Sequence, residues 1–266
     1  VCVTLKAVTD PSPGVAPLLV LKKITAILST FSLPMPELGL ADIRAATGIP
    51  HSTVQRLVAN MVQEGLLDRH GDRYRVGLKV AHWAAPATTG LDYLEIVRPV
   101  LQRLRDQLAE TVCIFRESGN QRVCVAMAET RHVLRCAVEV GSISPLYVGS
   151  AGRVILAWNQ SLADEIYASG LDALTEATIT SPEALKKAVT QTRADGFAIT
   201  AGERVTSASG LSAPIFGPHA ELFGALTVMG PSVRMPREVC ESFVEPVLAA
   251  ADEATRLRSG RIPKGE

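Results

Sequence analysis

Val54, Leu57, Val58 and Met61 recur at intervals of three and four residues. That spacing draws a stripe down one side of an α-helix. Leu21, Ile24, Ile27, Leu28 and Phe31 do the same and predict a helix from Pro17 to Phe31, which "SLPMPELG" ends. Leu40 and Ile43 are the inward positions of a short helix over 40–47. Gly48 follows it, where a helix commonly needs a left-handed residue to stop. Pro50 then occupies the first turn of the next helix, a position that tolerates its missing N–H. That helix runs to about Glu64. Two alternating segments around His70-Gly71-Asp72 predict a hairpin. From Leu78 to about Glu110 the pattern is helical again, interrupted at Pro86, Gly90 and Pro99.

Beyond Glu110 the period changes to two. "TVCIFRESGNQRVCVAMAE" predicts two strands around a Ser-Gly-Asn-Gln turn. "HVLRCAVEVG" predicts a third, with Leu134, Cys136, Val138 and Val140 on one face and Arg135 and Glu139 on the other. "SAGRVILAWNQ" and "SLADEIYASG" look helical. Ser181, Pro182, Glu183 and Gly196 punctuate a helix as cap, first turn and stop. Strands follow near 197–201, 209–217 and 221–229, and one long helix from Pro236 to Arg258. The expected organisation is a mobile stretch over 1–15, a helical unit with a hairpin over 16–77, a linker helix over 78–91, and an α+β domain of five or six strands over 92–260.

Helix, tight glycine turn, helix and hairpin make a winged helix-turn-helix. With the apolar stripe inward, His51, Ser52, Gln55 and Arg56 face outward at the start of the second helix, with Thr53 at the edge. A recognition helix reaches base edges with that end. Gln bonds adenine bidentately and Arg bonds guanine. Hydroxyls and free N–H groups of the first turn suit phosphate oxygens. The hairpin adds Arg69, Arg73 and Arg75, equipment for a wing on the DNA backbone or in the minor groove. A winged helix that only mediates protein contacts is the alternative.

Charge agrees with DNA binding. Net charge is zero, from 27 basic and 27 acidic side chains. Residues 1–90 hold 9 Lys/Arg against 6 Asp/Glu, and the remainder 18 against 21. The N-terminal part is thus basic by three and the rest acidic by three. Hydrophobic residues make up 47% and aromatics only 5%, so the core is mainly aliphatic. The five cysteines form no CxxC pair and lack histidines at zinc spacing, which predicts buried thiols in a reducing compartment and no metal. No stretch has the form of a secretory leader or a membrane span, so the expected location is the cytoplasm.

"LADIRAATGIPHSTVQRLVANMVQEGLLDRHGDRYRVG" resembles the DNA-binding domain of the IclR family of bacterial transcription regulators. "VEVGSISPLYVGSAGRVILAW", "TRADGFAIT" and "LSAPIFGPHAELFGALTVMGPSVRM" resemble successive segments of that family's second domain, in the same order. The resemblance covers about residues 17–258. It implies an α+β fold: an N-terminal winged helix-turn-helix domain plus a C-terminal GAF-like α+β effector-binding domain, joined by a linker helix. It further implies a homodimer or dimer of dimers on double-stranded DNA at a pseudo-palindromic operator, repressing or activating, under control of a small organic or aromatic acid.

By motif alignment the family's ligand cavity falls on Ser150, Ala151, Thr200, Gly210, Thr227 and Met229. The residues themselves leave two readings of "GSAG" open. Free N–H groups at a helix start form an anion site; alternatively Ser150 caps the helix and the glycines ease packing. The sequence departs from the family in the cavity. Thr200 stands where some members carry Asp, Gly210 where some carry Cys, and Met229 where Ser is common. Those changes predict a roomier, less polar cavity and an effector larger or more apolar than a two- or three-carbon keto acid. "GSAG" is not a nucleophile elbow, and His132 and His219 lie in loop-like settings. No phosphate loop or dinucleotide fingerprint appears. The expectation is a regulator with neither catalytic residues nor cofactor.

Overall fold

The computed structural model describes residues 18–32, 35–87 and 92–262. The N-terminal stretch 1–15, Pro17 and the break at Gly90 lie outside the described residues. The rest falls into two compact units, one within Val1–Thr89 and one within Gly90–Glu266.

In the first unit α1 (Leu19–Leu28), α2 (Leu40–Thr47) and α3 (His51–Gln63) pack on a sheet of β1 (Glu37–Gly39), β2 (Leu67–His70) and β3 (Arg73–Val76). Strand order is β1-β3-β2, antiparallel throughout. Gly48 has φ 66°, which turns the chain between α2 and α3. A side chain there would strain the backbone. Asp42 accepts a hydrogen bond from the Gly39 N–H at 2.9 Å and caps α2. Ile27, Ile43, Val54, Leu57, Val58, Met61 and Leu67 close a core of their own. β1 was not expected: three residues beside two prolines carry too little pattern, and the strand exists because β3 offers an edge. α4 (Leu78–Ala87) follows the hairpin.

The second unit is a six-stranded antiparallel sheet with helices on both faces. Its strands are β4 (Thr111–Ser118), β5 (Gln121–Ala128), β6 (Ile143–Pro145), β7 (Ala198–Ala201), β8 (Ala208–Phe216) and β9 (Leu222–Pro231), in the order β6-β5-β4-β9-β8-β7. One face packs on α5 (Asp92–Leu108), α9 (Arg237–Ser242) and α10 (Val244–Leu257). The other packs on α6 (Gly149–Ala157), α7 (Gln160–Ala168) and α8 (Pro182–Asp195). With both faces covered, β8 and β9 are buried along nearly their whole length. Their continuous apolar and small residues reflect that burial.

A β-bulge divides β5. Ile114 pairs with Ala126 and Phe115 with Cys124, so Val125 is the extra residue. Ala126 and Ala128 therefore face the α5 side, whereas Cys124 faces the α6 side. Arg122, two residues before Cys124, points the same way.

Two expectations are corrected. Residues 132–141 are not a strand. Leu134 and Val140 are exposed, and of the expected face only Val138 is fully buried. The edge of β5 is taken instead by Ser142 and β6, through Cys124 N to Ser142 O at 3.0 Å and the Arg122–Ser144 pairing. Alternation without a free edge makes no strand. The closing helix is likewise two helices, broken at Phe243. Pro246 lacks the N–H that would bond the Ser242 carbonyl, and its ring crowds that carbonyl.

Candidate functional site

α3 places its residues as its periodicity requires. Val54, Leu57, Val58 and Met61 are buried, while His51, Ser52, Gln55 and Arg56 are exposed and Thr53 is half-buried. Pro50 precedes the helix as its N-cap. Asn60, one turn beyond Arg56, is also exposed, and its Nδ2 donates to the Arg56 carbonyl at 2.7 Å. The sequence reading omitted Asn60, although i+4 spacing from Arg56 places it on that face.

The three wing arginines are not equivalent. Arg69 Nε donates to the Gly71 carbonyl at 2.9 Å, within its own turn. Arg73 donates to the Glu37 carbonyl of β1 at 2.8 Å and lies 3.8 Å from Asp42. Arg75 lies 3.8 Å from Asp68. Arg73 and Arg75 share a face of the hairpin, and Arg69 is on the other. Exposed pairs of this kind contribute little stability and leave the guanidinium able to turn to another anion.

In the second unit Ser150, Ala151, Thr200, Gly210, Thr227 and Met229 line one cavity of about 50 Å³ between α6 and the sheet. Ser150 Oγ and Ser212 Oγ are 2.8 Å apart, and Ser212 Oγ and Thr227 Oγ1 also 2.8 Å. These three buried hydroxyls form a continuous chain. A Cβ on Gly210 would come within 2.9 Å of Ser150 Oγ, so the bare glycine leaves that hydroxyl room.

The start of α6 differs from both earlier readings. Its N-cap is Val148, so Ser150 does not cap the helix. Nor is the helix end free. The Gly149 N–H donates to Glu203 Oε2 at 2.8 Å, and the other oxygen of Glu203 pairs with Arg153. A protein carboxylate already holds the expected anion position. The Glu203 carbonyl accepts from Thr178 Oγ1 at 2.7 Å, which ties the 202–207 loop down.

Phe115, Val138, Ala151 and Met229 line the cavity with apolar groups, and Arg122, Ser144, Glu203 and Arg204 add charged and polar ones. Sequence reasoning missed Arg122, Ser144, Ser212 and Arg204. Arg122 carried a signal, as a charge two residues from Cys124 in a half-buried strand.

Comparisons with known proteins agree with this architecture. A family model described as the IclR helix-turn-helix domain matches residues 20–71. A second, described as the bacterial transcriptional regulator IclR C-terminal domain, matches residues 85–256. The chain belongs to the IclR family. The transcriptional repressor IclR of Escherichia coli (strain K12) is 28% identical over 237 residues, covering 84% of each chain. A solved IclR-type regulator from Silicibacter sp. TM1040 superposes with TM-score 0.72 at 27% identity, covering 92% of this chain and 98% of that one. An IclR homolog from Microbacterium hydrocarbonoxydans, solved as a complex with 4-hydroxybenzoate, has the same fold at TM-score 0.72 and 21% identity, covering 89% and 99%. An IclR-family chain is a DNA-binding transcriptional regulator. Among the described residues no helix is long and apolar enough to cross a membrane.

Proposed function

We propose that the protein is an acid-responsive transcriptional regulator. It reads operator DNA with His51, Ser52, Thr53, Gln55 and Arg56 of α3 and steadies the wing on the backbone with Arg69, Arg73 and Arg75. The observation that carries this reading is the division of α3: four apolar side chains buried, four polar ones presented at its N-terminal end. That end offers donors to phosphates and side chains to base edges. The protein works as a homodimer or dimer of dimers, so its operator is pseudo-palindromic.

A small organic acid, aromatic acids included, occupies the cavity beneath α6. Its charged and polar lining groups suit a carboxylate and its apolar ones suit the body of the acid. The relative solved with 4-hydroxybenzoate supports this ligand class. The acid regulates DNA binding by its differential affinity for two arrangements of the protein.

The test is DNA binding by the full chain to duplexes selected from a random pool, followed by fluorescence anisotropy across a salt series. Affinity should fall steeply with salt as phosphate contacts release counterions. Gln55→Ala should relax base preference at one operator position, by about 1–3 kcal/mol. An unchanged preference would remove Gln55 from the reading face. Salt-independent binding, or none, would favour the protein-contact reading.

A further inference from the structure

Arg122 is only 5% exposed and lines the cavity. Its Nη1 donates to the carbonyls of Pro145 and Val148, and its guanidinium lies 5.5 Å over the Phe115 ring. Its Nε is buried with no hydrogen-bond partner. Among the described residues no carboxylate reaches it at ion-pair distance. Glu117, opposite it in the β4–β5 register, instead accepts from Asn159 Nδ2 at 2.8 Å. Glu203 is held by Gly149 and Arg153. A buried cation with no carboxylate in direct contact is costly. Burial, reinforced by the nearby Arg204 and only partly offset by Glu203, pulls the Arg122 pKa down to about 9, so at neutral pH it remains charged.

We infer that Arg122 is the residue that binds the carboxylate of the effector, whose charged end therefore lies at the β5–β6 edge and not at the α6 N-terminus. This rests on the reading of the cavity as an acid site. An incoming carboxylate supplies the contact ion pair that Arg122 lacks, without having to displace Glu203. Arg204 lines the same cavity and adds to its positive potential. The aromatic or aliphatic body of the acid then lies along Phe115 and Met229.

Ser144 makes the inference testable without a known effector. It is the register partner of Arg122 across β5–β6 and lines the same cavity. Side chains directly opposite on one face lie within reach of each other. Ser144→Asp therefore places a tethered carboxylate where the ligand's would sit.

The experiment is thermal denaturation of the full chain and three variants, with 4-hydroxybenzoate, benzoate, pyruvate and glyoxylate, and with 4-hydroxybenzamide as the uncharged control. A ligand that binds the native state raises its apparent stability. The expected result is a rise in Tm with at least one acid and none with the amide. Arg122→Gln should weaken that acid roughly tenfold or more, the loss of one charge-assisted interaction. Ser144→Asp should raise Tm without ligand and abolish the acid response, whereas Ser144→Asn does neither. An acid that stabilises Arg122→Gln as well as the parent overturns the role of Arg122 and leaves the acid-effector reading standing. No response of the parent to any acid overturns both. If Arg122→Gln fails to fold, the Ser144→Asp result decides alone: a lowered or unchanged Tm overturns the inference.

Discussion

Ser212 is fully buried between two other hydroxyls, one on α6 and one on β9. The hydroxyls of Ser150 and Thr227 each find their side-chain partner in Ser212. Replacing the middle one with alanine strips a partner from both ends. Ser212→Ala should therefore destabilise the chain by about 1–3 kcal/mol, the usual penalty for leaving buried polar atoms unsatisfied. Urea unfolding followed by circular dichroism would measure it. A change within error would mean that Ser150 and Thr227 find each other without Ser212. Gly48 sets a second limit at this scale. Its φ of 66° belongs to a conformation that costs other residues about 1–2 kcal/mol, and the space around it is open. Gly48→Ala should show that backbone strain and nothing else, as a lower urea midpoint with an unchanged slope.

Elements differ in how far their own residues determine them. α3 was legible because one period runs through thirteen residues and its partners are near in sequence. The hairpin of β2 and β3 was legible because its turn lies inside it. Residues 132–141 alternate just as well, yet they form no strand, since the neighbouring edge is occupied by β6. The break between α9 and α10 rested on Pro246 alone, which an apolar stripe spanning both helices concealed. The plug at the start of α6 was not legible at all: Glu203 lies 54 positions from Gly149 in the chain. All six residues assigned by family alignment line one cavity, but the charges around them come from β5 and from the 202–207 loop. The wing permits a prediction at this level. Arg73 ties β3 to β1, whereas Arg69 binds only its own turn. Arg69→Ala should flatten the salt slope of DNA binding with little change in Tm. Arg73→Ala should flatten it and lower Tm as well. Equal Tm values for the two variants would show that the β1 contact contributes no stability.

At the scale of the molecule, the second unit has two cores separated by one sheet, and each holds acids that resist ionisation. On the α6 side the hydrogen bond with Cys124 and burial hold the Cys113 thiol well above its ordinary value. The α5–α10 side holds two such groups. Burial raises the Cys240 thiol to about 11 and lifts the Tyr93 hydroxyl well above its ordinary value. The folded pKa exceeds the unfolded one, so this contribution is complete below the unfolded thiol value of about 9 and is lost as pH rises through 11. Tm measured from pH 8 to 11 should fall, and Cys240→Ala should make that fall shallower. An identical slope in the variant would mean that the thiol does not sense folding. The α6 side holds the cavity, and the bulge at Val125 decides which of the two sides receives Arg122. The bulge absorbs Val125, so the pairs on either side of it, Ile114 with Ala126 and Phe115 with Cys124, stay as in an unbroken ladder. Deleting Val125 would therefore leave Arg122 on the cavity side. Flattening the bulge with Val125 retained would slip the strand by one position, turn Arg122 to the aliphatic side and bring Val123 to the cavity. The electrostatics of the site thus hang on a backbone irregularity in one strand as much as on the residues that line it.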